Sequence, residues 1–165
     1  MAQKFRQIDE GFTWVFKAAS AKDKAERLKE WARECQPVVP IVRMGVGAEK
    51  PDWNLPEGMP DLTKLQEDIP EGMGQTTLVL EWRRVIGFTT PGSNMNALSP
   101  VKREQQWINT LEAIHHKEAK ILTAVKDGTL LELYPELEKV LPLIGITEYN
   151  KVVKKRTRKN AKKAA

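Results

Sequence analysis

Few residues in this chain have the types and spacing that chemistry demands. His115 and His116 are adjacent, with Glu112 and Glu118 on either side. On a helix, Glu112 and His116 share a face at four-residue spacing, and His115 and Glu118 share one at three. A metal site needs three or four ligands, and no third one accompanies either pair. Adjacent side chains on a helix also point about 100° apart, so the two imidazoles are not expected to share an ion. The expectation is a polar or core-edge role. Cys35 is the sole cysteine. It excludes an internal disulfide and a cysteine zinc site within one chain. A nucleophilic thiol needs a base beside it. Cys35 falls on the apolar face at a helix end, which predicts a buried structural thiol. GVGAEK (45–50) lacks the phosphate-loop spacing and its lysine-serine or lysine-threonine pair. No serine stands in a nucleophile elbow. These residues predict neither an enzyme nor a cofactor.

Binding residues are better represented. Residues 151–165, KVVKKRTRKNAKKAA, hold Lys151, Lys154, Lys155, Arg156, Arg158, Lys159, Lys162 and Lys163 and no acid. Removing these eight from the 27 basic residues leaves 19 against 22 acids in residues 1–150, so the body is net −3 while the whole chain is +5. A segment so charged and so poor in apolar groups repels itself and is expected to be disordered alone. Against a polyanion it can neutralise several phosphates and release their counterions. A solubilising terminus is the bland alternative. Five tryptophans, Trp14, Trp31, Trp53, Trp82 and Trp107, are many for 165 residues. Core filling explains most of them, but Trp31, and Trp82 before Arg83-Arg84, are candidates for stacking on bases or on a protein partner.

The elements that must position these residues read as helices. Phe12, Val15, Phe16 and Ala19 set a helical stripe over 8–19. Ser20 is an N-cap residue with Asp23 in the reciprocal position, opening an amphipathic helix over 21–35 with Ala21, Ala25, Leu28, Ala32 and Cys35 on one face. PVVPIVRMGVG (37–47) has strand propensity, yet both prolines fit a first helical turn and Gly45 or Gly47 can close it, so a short buried helix is expected. Residues 48–75 carry four prolines and a near-repeat, LPEGMPDL and IPEGMGQT. They predict a long loop lying against the core through Trp53, Leu55 and further apolar residues. Thr76 or Thr77 caps a helix with Leu78, Trp82, Val85 and Ile86 on its stripe. Ser99-Pro100 is a strong helix start. From there one helix is expected to run to about Lys126 and to end at Asp127-Gly128. Its length would be roughly 40 Å at about 1.5 Å per residue. Pro135 and Pro142 break the rest of the body into short helices, and Thr147 caps a last turn. The fold class is therefore all-α: a domain over 1–150 of five or six helices around one long central helix, with a Pro/Gly-rich loop (48–75) and a basic tail (151–165).

Several stretches resemble an uncharacterised family of small proteins from tailed bacteriophages, including large myoviruses and marine cyanophages. They are AASAKDKAERLKEW (18–31), the LPEGMP run (55–60) with Trp53 and Asn54 before it, DIPEGMGQTTL (68–78), LSPVKREQQWINTLEAIHHKEAKILTAVKDGTL (98–130) and YPELEKVL (134–141). The resemblance implies a phage genome and an all-helical domain. It brings no cofactor and no catalytic residue to any position here.

No run of about 18 apolar residues exists, so no membrane span is expected, and the mixed-charge N-terminus does not read as a secretory signal. The expectation is a non-enzymatic phage accessory protein of the host cytoplasm or the virion. Its tail would contact DNA or RNA non-specifically. The alternative is a protein-interaction factor, a virion component or a modulator of a host enzyme, that meets a phage or host protein through the helical body and loop 48–75.

Overall fold

The computed structural model describes residues 7–58 and 76–150. Residues 59–75 of the expected loop and the whole basic tail, Lys151 to Lys163 included, lie outside the described residues.

Every regular element among the described residues is helical: α1 (Ile8–Phe16), α2 (Ala21–Glu34), α3 (Val38–Val46), α4 (Leu78–Gly87), α5 (Pro100–Ala113), α6 (His116–Asp127), α7 (Leu130–Leu133), α8 (Leu137–Val140) and a 3-10 turn over Leu141–Ile144. The all-α class stands. The count among the described residues exceeds five or six because the expected long helix is two, α5 and α6, and because Tyr134 and Pro135 separate two single-turn helices.

Local chemistry sets the boundaries. Ser20 Oγ accepts from Asp23 N–H at 3.1 Å, and Thr77 Oγ1 accepts from Leu80 N–H at 3.4 Å, so both expected caps form. Pro37 and Pro40 occupy the cap and first turn of α3, and Gly47 closes it in the left-handed conformation at φ 84°. Gly128 closes α6 in the same way. Pro100 starts α5 as expected, but the Ser99 hydroxyl makes no cap hydrogen bond. Residues 146–150 are not helical, so the turn expected at Thr147 is absent.

The single long helix is the main correction. Ile114 (φ −97°, ψ 164°) and His115 (φ −59°, ψ 147°) are extended, and they divide residues 100–127 into α5 and α6. No proline or glycine lies at the break. The backbone bends because Ile114 and His115 are both buried there, and because His115 caps the new helix: its Nδ1 accepts from Lys117 N–H at 3.2 Å. Ala113 C=O, orphaned at the end of α5, accepts from Thr76 N–H at 3.1 Å.

The core is one cluster with two aromatic centres. Phe12 packs on Trp31 edge-to-face at 5.2 Å and stacks on Tyr134 at 4.6 Å. A Cβ at Gly11 would lie 2.1 Å from the Trp31 ring, so only glycine lets α1 approach α2 this closely. Trp107 packs edge-to-face on Trp53 at 5.7 Å and on Phe88 at 5.2 Å. Trp53 thereby holds the first part of the loop on the body. Arg103 donates to the carbonyls of Asn54, Asn96 and Leu98, and Lys126 Nζ donates to Pro56 C=O at 2.7 Å. Of the expected loop's apolar residues, the described Trp53 and Leu55 pack on the core, while Asn54 and Pro56 to Gly58 are exposed.

Candidate functional site

Three places concentrate polar or aromatic groups. The first is the root of the tail. Asn150 N–H donates to Val46 C=O at 2.7 Å, and its Nδ2 donates to Gly128 C=O at 3.2 Å. Added Cβ atoms at Gly47 and Gly128 would lie 2.3 and 2.8 Å from Asn150 Nδ2. Both glycines also sit at positive φ. The two helix C-termini thus form a notch that fixes the residue from which the basic segment departs. The eight tail residues themselves lie outside the described residues.

The second is a buried carboxylate. Glu118, on α6, is fully buried. Its Oε2 accepts from Ile8 N–H at 3.1 Å, and both its oxygens lie 3.3 Å from Leu78 N. Ile8 and Leu78 are the first residues of α1 and α4, whose N–H groups have no partner within their own helices. One carboxylate therefore joins three helices. Burial pushes its pKa up, the two backbone hydrogen bonds pull it down, and Asp9 and Glu10 push it up again; the result is about 7, against the usual 4.5. Residue spacing paired Glu118 with His115 on a helical face, but the bend gives it backbone N–H groups of α1 and α4 instead.

The same bend overturns the expected geometry of the histidines. Glu112 ends up on α5 and His116 on α6, so their four-residue spacing no longer places them on one face. The two rings lie 4.2 Å apart, tilted by 33°, rather than pointing apart. Among the described residues no group of three or more histidine, cysteine or acidic side chains is placed to hold a metal. Cys35 is buried, as expected.

The third is a cleft between the end of α2 and α4, about 360 Å³, lined by Glu34, Cys35, Gln36, Pro37, Val79, Trp82 and Arg83. Trp82 is half-buried there, whereas Trp31, the other candidate stacking face, is only 2% exposed and belongs to the core. Trp14 is half-buried beneath Arg27, whose guanidinium lies 5.1 Å from the indole centroid. A smaller apolar groove, about 190 Å³, runs between α2, α3 and residues 144–146, with Lys29 and Arg43 at its rim. Arg43 is paired with Glu49 at 2.8 Å.

The model of a family of unknown function (DUF6433) matches residues 13–132. The chain belongs to that family. The match includes the bend, Glu118 and the α2–α4 cleft, and it ends before Asn150 and the tail. No curated protein and no solved structure matches the chain. Among the described residues no helix is long and apolar enough to cross a membrane.

Two of these features escaped the sequence. Glu118 left a signal, since it lies three, four and seven residues before Ile121, Leu122 and Val125, on the apolar stripe itself. Asn150 left none, because its partners are carbonyls at the ends of two distant helices.

Proposed function

We propose that this protein is a non-enzymatic bacteriophage accessory factor that grips nucleic acid through Lys151, Lys154, Lys155, Arg156, Arg158, Lys159, Lys162 and Lys163. One observation carries the reading: residues 151–165 hold eight cations and no acid, behind a body of net −3. A nucleic-acid-binding domain ordinarily carries its basic residues on its own folded surface. Here the charge is gathered on a terminal segment whose root, Asn150, is fastened to two helix ends. The grip is electrostatic and indifferent to sequence, so DNA and RNA both serve. Its site of action is the infected host's cytoplasm or the virion.

The test is binding to duplex and single-stranded DNA and RNA across a salt series. Affinity is expected to fall with a log–log slope of about −0.7 to −0.9 per phosphate neutralised. A chain ending at Asn150, first shown to melt as the full chain does, is expected to lose the binding. Equal affinity in the shortened chain would refute the reading.

A second reading, a protein-interaction factor that is a virion component or a modulator of a host enzyme, draws support from the apolar groove. Val39 on its wall is 49% exposed. That exposure suits the apolar face of a partner helix. Mass spectrometry of purified particles separates the two settings: many copies per virion favour a structural part, and absence favours an intracellular factor.

A further inference from the structure

We infer that the cleft between the end of α2 and α4 is a nucleobase site, in which Trp82 stacks on a base of a single strand and Glu34, Gln36 and Arg83 select bases that carry an exocyclic amine. The inference deepens the tail reading and rests on it for the strand's overall affinity.

The chemistry follows from the lining. Pro37, Val79 and the wall of Cys35 are apolar, and Trp82 adds a half-buried indole. Aromatic faces on single-strand-binding proteins hold bases by stacking, whatever the base. Selectivity comes from the polar groups. Glu34, Gln36 and Arg83 are exposed, and none of them has a hydrogen bond or ion pair with another side chain among the described residues. A carboxylate accepts from the amino group of cytosine or adenine and repels the carbonyl oxygen that thymine and uracil place there. The Gln36 amide and the Arg83 guanidinium supply donors for the ring nitrogen beside that amino group and, in cytosine, for the adjacent carbonyl. With one acid and one cation, the cleft is a poor phosphate site, and the phosphates fall to the tail.

The experiment uses the full chain and oligodeoxycytidylate, oligothymidylate and oligoribocytidylate of equal length, followed by tryptophan fluorescence quenching at low and high salt. High salt screens the tail and leaves stacking. At high salt the cytidylates are expected to bind about tenfold more tightly than the thymidylate. Trp82→Leu, read by the fluorescence anisotropy of a dye-labelled oligonucleotide because the variant lacks the quenched indole, is expected to weaken cytidylate binding about fivefold or more. Glu34→Gln changes an exposed side chain and leaves the fold intact; it is expected to erase the preference for cytidylate while the melting temperature stays put. Comparison of the deoxy and ribo oligomers shows which sugar the site accepts. Equal binding of cytidylate and thymidylate, unchanged by Glu34→Gln, overturns the base site. If binding at low salt persists in that case, the tail reading survives alone; if no oligonucleotide binds at any salt, both fall.

Discussion

Glu118 and, on the proposed function, the basic tail use charge in opposite ways. The Glu118 carboxylate is withdrawn from water and its hydrogen-bonding capacity is spent within the molecule, on the N-termini of α1 and α4. The eight tail cations face no acid within their own segment, and the nearest covalent neighbour, Asn150, is neutral. A buried charge must find its partners in the chain or be neutralised, because desolvation is costly. A charge left in water keeps its capacity for an external polyanion. The site of an ionisable group, more than its sign, decides whether its hydrogen-bonding capacity is spent inside the fold.

The contrast can be broken most forcefully at Glu118. Glu118→Ala leaves the first N–H groups of α1 and α4 unpaired and opens a cavity, and is expected to destabilise the protein by about 4 kcal/mol at about pH 5, read from urea unfolding. A loss below about 1 kcal/mol would mean that water takes over the carboxylate's role. The next largest effect is pH dependence. The Glu118 carboxyl is held at about 7 in the folded chain, above its ordinary 4.5, so the native state binds the extra proton between those values. Its contribution to stability is therefore fully present below about pH 4.5, falls as pH rises toward 7, and is lost above it, amounting to about 3 kcal/mol over the window. Glu118→Gln keeps an acceptor for the N–H groups and should flatten that part of the profile; an unchanged profile would assign the titration to another group. The smallest effect sharpens the other side of the comparison. Changing all eight tail cations to glutamine is expected to move stability by no more than about 0.5 kcal/mol, while salt-dependent nucleic-acid binding disappears. A clear drop in melting temperature would show that the tail's charges serve the fold as well.

Helix starts and stops were legible because they are local. Ser20, Thr77, Pro37, Pro100, Gly47 and Gly128 act through hydrogen bonds and backbone angles within a few residues, and each marks a boundary in the structure. The bend at Ile114-His115 was not legible. The apolar spacing there continues smoothly, and nothing nearby disfavours a helix. The burial of Ile114 and His115, the His115 cap on Lys117 N–H and the Thr76 N–H on Ala113 C=O go with extended backbone there, and the first and last depend on other elements. Trp31 misled for a related reason: its partners, Phe12 and the bare backbone of Gly11, belong to another helix.

Composition and spacing by themselves determined an all-helical body, a buried lone thiol and a charge split that places the cations at the end of the chain, since each follows from residue type and short-range geometry. Tertiary structure alone decided that one helix becomes two, that Glu118 serves three helices, that the histidine rings meet, and that Trp31 is enclosed while Trp82 is only half-buried. These outcomes depend on which distant groups compete for the same buried volume, and a single sequence does not display that competition.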